Sequence, residues 1–445
     1  MSSPAEGPQP ADRSVQWEAT TTFAYQVAGL IAGALTNIVI ARTLGPGGKG
    51  ILALLGYALF IAISLGGLGL QAGSVYLIGK GRFAKGQVSA GVLLLSLLAG
   101  LLCAGAMALV LPRFRATVPL TAMMIGLSTA LVIPSLIRQN LGGLYLALNR
   151  INAFNQIQTV PAVLWMIGAF VLLVPLHGGI RDAVILWAAV GMVGSLAGTV
   201  GALAIAPPRT QEFGRCVRAC LGTGLPIYAA NLVWILVLRI DGFFLAAYRS
   251  AAEVGTYSVA VLIAEVLLHL PRSMALVLTR RFAAGALLPA ARLAARASRV
   301  GSQAVLLSGI GLAVLSGRLV PLIFGRSFAP SVPPLLWLLP GILALSVAAP
   351  LSLYLVQQRG KPFWPGIAAV LGLVANVLCN LAWIPGHGAV GAAWASSVAY
   401  TVHAVTVGAL FCHETGQHWS ALLVPRREDL RAWIDLLLRF RGSSV

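Results

Sequence analysis

Residues 234–248 read WILVLRIDGFFLAAY, from Trp234 to Tyr248. Apart from Arg239 and Asp241 every residue suits hydrocarbon, and the largely apolar run reaches back to Leu225. A bilayer core takes about 20 apolar residues per helix and tolerates no unpaired backbone, so the stretch is read as one transmembrane helix. Its two charges, two residues apart, then need a reason to be there.

The rest of the chain has the same character. Of 445 residues, 58% are hydrophobic and 10% charged, with a mean hydropathy of +0.88, whereas soluble domains carry about 25% charged residues. The formal net charge is +19. The basic residues sit in short segments between apolar runs, where positive charge orients helices toward the cytoplasm, so nucleic acid is not an expected partner. Among five cysteines, Cys103 and Cys379 lie inside apolar runs and Cys412 at the end of one; Cys216 and Cys220 are spaced i,i+4 with no further ligand nearby. They read as inert thiols, and neither a metal nor a cofactor is expected. The first 19 residues are polar, and the run after them is too long for a signal-peptide core.

The apolar runs predict an all-α polytopic membrane protein of twelve helices: 20–42, 51–79, 88–111, 118–147, 157–175, 182–205, 225–247, 254–277, 300–323, 332–357, 363–384 and 389–411. With the N-terminus inside, 21 Lys and Arg fall in inner segments and 8 in outer ones, which places both termini in the cytoplasm. The organisation read from this is a cytoplasmic tail (1–19), a lobe of helices 1–6 (20–205), a cytoplasmic linker (206–224), a lobe of helices 7–12 (225–411) and a tail (412–445). In that last tail Leu430, Trp433, Ile434, Leu437 and Leu438 share one helical face and Arg427, Arg431, Asp435 and Arg439 another, as in a helix lying on anionic lipid. Gly69 and Gly73 give a small-xxx-small face for close packing.

Two echoes suggest a duplication. VPLHGGI at Val174 and IPGHGAV at Ile384 share Pro-x-His-Gly, with Pro175 and Pro385 separated by 210 residues. ARTLGPGGKGILAL after the first helix aligns with AAYRSAAEVGTYSV after the seventh at an offset of 205, which sets Gly50 on Gly255. Six helices per half keep both halves in one orientation, so a parallel repeat with the substrate path between its halves is expected.

Three stretches resemble a known family: NIVIARTLGPGGKGILALLGY from Asn37, LRIDGFFLAAYRSAAEVGTYSVAVLIAEVLLHLPRSM from Leu238, and NVLCNLAWIPGHGAVGAAWASSVAY from Asn376. They look like the polysaccharide transporter (Wzx-type flippase) branch of the multidrug/oligosaccharidyl-lipid/polysaccharide exporter superfamily. The resemblance implies two MATE-like six-helix lobes around a central cavity, alternating access, and a place in the cell inner (plasma) membrane. It further implies that a polyprenyl-pyrophosphate-linked oligosaccharide moves from inner to outer leaflet for surface polysaccharide assembly. Partners would be the lipid-linked sugar, membrane lipids and polysaccharide assembly proteins. Related lipid II flippases carry two more helices at the C-terminus, and twelve are read here.

The intramembrane charges give the candidate site. An ionisable group at the bilayer centre costs at least about 2.5–3.5 kcal/mol and should face water or a partner. Arg239 and Asp241 are about 200° apart on a helix, so each is expected to meet a different neighbour. Helix eight offers Glu265, His269 and Arg272 at i, i+4 and i+7, and helix four Arg138, Gln139 and Asn140. Arg138 and Arg239 suit bidentate phosphate contact; Asn37, Asn140, Asn231 and Asn376 (with Asn380) are candidates for sugar hydroxyls. Asp241, Glu265, His269 and Arg272 form a coupling group, with Asp241 or Glu265 competing for the arginines. The competing reading is packing: the charges brace neighbouring helices and Arg272 snorkels to the cytoplasmic edge. The acidic residues nearest the spans of the first half, Glu18 and Asp182, lie at span ends, which argues against a cation-coupled multidrug antiporter. A membrane polymerase or glycosyltransferase would need a large outer loop with paired carboxylates, and every outer connection is short; a transporter, not an enzyme, is expected.

Overall fold

The computed structural model describes residues 10–269, 271, 274, 278, 282, 287–426, 428 and 429. Arg272 and the amphipathic tail segment read over residues 430–439 lie outside the described residues. Among the described residues all regular structure is helical: α1 (Pro10–Gly66), α2 (Leu70–Gly79), α3 (Lys85–Val110), α4 (Ala122–Ala130), α5 (Val132–Ala147), α6 (Ile151–Leu173), α7 (Ile180–Ile205), α8 (Phe213–Tyr248), α9 (Ala251–Val266), α10 (Leu287–Phe324), α11 (Val332–Gln357), α12 (Phe363–Thr415) and α13 (Ser420–Leu423). Nine helical stretches among these residues are long and apolar enough to cross a membrane. Two of them, of 60 and 53 residues, bend at glycines and supply two spans each. The sixteen residues of α9 fall on the eighth predicted span. The chain is an all-α, multi-pass membrane protein, and its exposed leucines and valines (Leu102, Leu109, Leu307, Val314) are what lipid requires of an outer face.

Contacts divide the chain into Met1–Ala229 and Ala230–Val445. In the first unit α1 bends at Gly45 (φ 65°, ψ −174°), immediately before Pro46, which has no N–H to continue the ladder. The second predicted span is interrupted between α1 and α2, where Leu68 and Gly69 take φ of 48° and 68°. The fourth is divided at Leu131, three residues before Pro134. At the α2 break the predicted small-residue face meets a second one on α8. A Cβ on Gly69 would collide with the Gly224 carbonyl, and one on Gly73 would lie 3.2 Å from the Cys220 carbonyl oxygen. Backbone thus touches backbone. Beside it Leu70, Leu77, Val88, Val92, Leu141 and Leu144 pack with Cys216 and Cys220. Helix α8 therefore starts at Phe213, inside the stretch read as linker, because its apolar side is already buried there. All five cysteines are free.

In the second unit α9 starts at Ser250, whose hydroxyl accepts the Glu253 N–H. Ser250 aligns with Gly45 at the offset of 205, and both mark helix breaks. Helix α12 bends at Gly388 (φ 55°), in the second Pro-x-His-Gly. Arg249 donates to the freed carbonyls of Ile384 (3.2 Å) and Pro385 (2.7 Å), and the Glu253 carboxylate occupies the space of any Cβ at position 388. The core at the opposite end is aromatic: Tyr354 meets Phe282 and Phe411 edge-on at 5.9 and 5.2 Å. After α12 the chain folds back. Asp429 is buried and accepts from Arg299 of α10 at 2.9 and 3.3 Å, while Arg299 also donates to the Ala421 carbonyl.

Gly69→Ala is expected to lower stability by roughly 2 kcal/mol or more, from overpacking and left-handed strain. Gly33→Ala, with open space around it, should be neutral or stabilising; thermal unfolding in detergent separates the two. The Asp429 carboxyl is pushed up by burial but held below its ordinary value by the Arg299 hydrogen bonds, the Arg426 N–H and the arginine charges. A depressed carboxyl contributes stability above its unfolded pKa of about 3.9 and loses it as pH falls through the folded value. Hydrogen exchange at residues 420–424, corrected for intrinsic rate, should be flat from about pH 7 to 5 and rise below about pH 4.

Candidate functional site

The two charges of the quoted helix go to different partners. Arg239 reaches α9, where its Nη1 and Nη2 donate to Glu265 Oε1 and Oε2 at 2.6 and 3.0 Å. The pair is bidentate, and each side chain is about a quarter exposed (24%). Asp241 points elsewhere and is buried. It accepts from its neighbour Gly242 N–H at 2.8 Å, from Ser396 Oγ of α12 at 2.8 Å, and from Tyr257 Oη of α9. Among the described residues no Lys or Arg lies within ion-pair distance of Asp241. It is a carboxylate held by three neutral donors, which corrects the expectation that it competes for the arginines. The roughly 200° between positions 239 and 241 is the reason; among the described residues it is Glu265 that pairs with Arg239.

Other candidates are taken by packing. Asn140 is buried and donates to Ser96 Oγ at 2.9 Å, tying α5 to α3. Asn380 donates to Asn376 Oδ1 at 2.7 Å; both are buried, and Asn376 Nδ2 and Asn380 Oδ1 have no hydrogen-bond partner among the described residues. Asn37 donates to the Gly33 carbonyl at 2.7 Å and accepts from Lys49. Asn231 and His269 are exposed. At the start of the quoted stretch Trp234 packs against His403, ring centroids 4.8 Å apart.

In the first unit Arg138 of α5 donates to Gln158 Oε1 of α6. Its stem lies against Gly198 of α7, where an added Cβ would fall 2.9 Å from Arg138 Cγ. The Gly198 carbonyl in turn accepts from Tyr145 Oη at 3.0 Å. Sequence reading missed four members of these clusters: Tyr257, Ser396, Gln158 and Lys49. Tyr257, Ser396 and Gln158 are uncharged, and Lys49, only 7% exposed, looked like an ordinary loop cation. The only signal available was that buried charges require donors or acceptors nearby. The described residues contain no group of three His, Cys, Asp or Glu fit to hold a metal.

No protein-family model matches the chain, and no curated protein does. Solved structures do. The lipid II flippase MurJ in an inward closed conformation is similar with a TM-score of 0.72 and 15% identity, over 96% of this chain and 93% of that one. An inward-facing multidrug resistance MATE family transporter of the MOP superfamily gives 0.70 and 13%, over 87% and 94%. A mutant of the Vibrio cholerae MATE transporter VcmN gives 0.55 and 15%, over 88% and 99%. The fold is therefore the one these flippases and exporters share.

A double-mutant cycle on Arg239→Ala and Glu265→Ala tests the ion pair. Their coupling is expected at roughly 1–3 kcal/mol, with either single change costing more than the double; additive losses in thermal unfolding would mean the pair contributes nothing.

Proposed function

We propose that this protein is a flippase that carries a polyprenyl-pyrophosphate-linked oligosaccharide from the inner to the outer leaflet of the plasma membrane, by alternating access, for surface polysaccharide assembly. One observation carries the reading: Arg138 sits within a predicted span, and among the described residues no carboxylate is paired with it. A fixed cation at that depth attracts an anion and repels cationic drugs. The fold shared with a lipid II flippase supports a lipid-linked cargo. The protein's contribution is a path on which phosphate is never stranded in hydrocarbon. A headgroup with about two negative charges gains up to roughly 2 × 2.3 kcal/mol per 100 mV on leaving a negative interior, so the membrane potential already favours export.

A cation-coupled antiporter of the same fold is the second reading, and Asp241 is the observation that favours it. A buried carboxylate held only by neutral donors can take up a proton or small cation with little rearrangement. In the flippase reading Asp241 serves the same coupling role, and Glu265 holds Arg239 close to neutral.

Reconstituted vesicles carrying a fluorescent polyprenyl-pyrophosphate-linked sugar test the proposal. An imposed potential, negative on the donor side, should accelerate flipping, and Arg138→Ala should slow it by about tenfold or more while the protein stays folded, a loss on the order of 1.4 kcal/mol. Wild-type protein that moves no lipid-linked sugar, or flips it equally with and without Arg138, would overturn it.

A further inference from the structure

Arg138 and Arg239 differ in net charge, and the difference identifies which of them receives the cargo. Arg239 faces a carboxylate that satisfies two of its N–H groups, so that pair is close to neutral. Arg138 faces the amide oxygen of Gln158, which orients a guanidinium without cancelling its charge. From this contrast we infer that Arg138 and Gln158 together form the receiving site for the pyrophosphate, and that Arg239 does not; the inference rests on the flippase reading and deepens it.

Depth supports the assignment. Helix α6 begins at Ile151, directly after Arg150, a predicted cytoplasmic-edge cation. Arg138 lies nine residues from the inner end of the fourth predicted span, about 14 Å into a hydrocarbon core about 30 Å thick, and its hydrogen bond brings Gln158 to that level. Gln158 is nevertheless exposed, and Arg138 is only partly buried. Exposed amide and guanidinium groups at that depth do not face lipid tails; they face water or a ligand. The lipid side of α6 is elsewhere: Val160, Leu164, Ile167 and Val171 are exposed, and at about 100° per residue they lie on roughly the opposite side from Gln158.

The local construction also fits an anion. Gly198 leaves room for the Arg138 stem against α7, and Tyr145 holds the Gly198 carbonyl. The Gln158 oxygen is occupied by one guanidinium N–H, which leaves the amide NH2 and the other guanidinium N–H groups. All of them are donors. A cluster of donors around one positive charge takes acceptor oxygens, best a phosphate, with Gln158 supplying the second contact that a lone arginine lacks. Gln158 is thus a binding residue in its own right. The unit would lose its receptor if the amide became a carboxylate, since Arg138 would then be neutralised as Arg239 is.

The test uses full-length protein in phosphatidylcholine nanodiscs, with farnesyl pyrophosphate as probe, farnesol as the uncharged control and inorganic pyrophosphate as the lipid-free anion. Wild type should bind farnesyl pyrophosphate at least tenfold more tightly than farnesol. Competition by inorganic pyrophosphate measures how much of the recognition is the anion alone, and its failure to displace the probe at any concentration would count against the site. Gln158→Glu should weaken probe binding about tenfold or more with the thermal midpoint unchanged or raised; Gln158→Ala should weaken it two- to fivefold. Arg239→Ala combined with Glu265→Ala should change it less than twofold. The exchange Arg138→Gln with Gln158→Arg, which keeps one cation at the site, should recover most of the affinity and guards against misfolding of a single variant. Unchanged binding in Gln158→Glu, or a loss confined to the Arg239 variant, would overturn the assignment. In that event vesicle flipping by wild type decides separately: flipping that persists keeps the flippase reading, and flipping that is absent removes both.

Discussion

A guanidinium at bilayer depth is tolerated only when something answers its charge, and the polar architecture of this protein follows from how that demand is met. In the second unit a carboxylate on the next helix answers Arg239, so the charges cancel where the helices touch. In the first unit no carboxylate among the described residues is paired with Arg138, and a glutamine takes the contact. The remaining polar groups divide along the same line. Hydroxyl and amide bonds such as Asn140 to Ser96 close within the packing, and Asp241 is enclosed by Tyr257, Ser396 and a backbone N–H.

The same demand governs the backbone. Every helix break in a membrane span exposes carbonyls and amides to a solvent that cannot pair them. Gly388 turns α12 through a conformation open mainly to glycine, and Arg249 reaches across to the two carbonyls released there. Gly45 and Pro46 make the corresponding bend in α1. Charged residues at the ends of spans thus serve as caps as well as topological signals, and Arg249, counted in the sequence as an outer loop charge, is one of them.

Much of this was legible beforehand, and what was hidden follows a pattern. Apolar run length located the helices because hydrocarbon sets their length directly. Helical periodicity was enough to exclude a pair between Arg239 and Asp241 and to bring Glu265 forward. The breaks at Gly66–Gly69 and Leu131 were invisible, since hydropathy averages over a kink. The start of α8 at Phe213 was missed because only its apolar side, with Cys216 and Cys220, is buried. Asn37 was a candidate for sugar hydroxyls; the bend at Gly45 returns Lys49 to its side-chain oxygen, a contact that no pattern in the sequence reveals. Tyr257, Ser396 and Gln158 were missed because hydroxyls and amides are common in transmembrane helices, and only tertiary structure shows which of them meet a charge.

The contact of Gly69 and Gly73 with Cys220 and Gly224 involves almost no side chain. Forming it orders no rotamers, and it buries little apolar side-chain surface. What holds it is dispersion and close Cα–H to carbonyl approach, both enthalpic and short-ranged. Its contribution should carry almost no heat-capacity change, unlike that of a soluble core. With no side chain there to lengthen or reorient, the spacing of the two helices at this point is set by the main chain alone, and a change on one strip can be accommodated only by a matching change on the other.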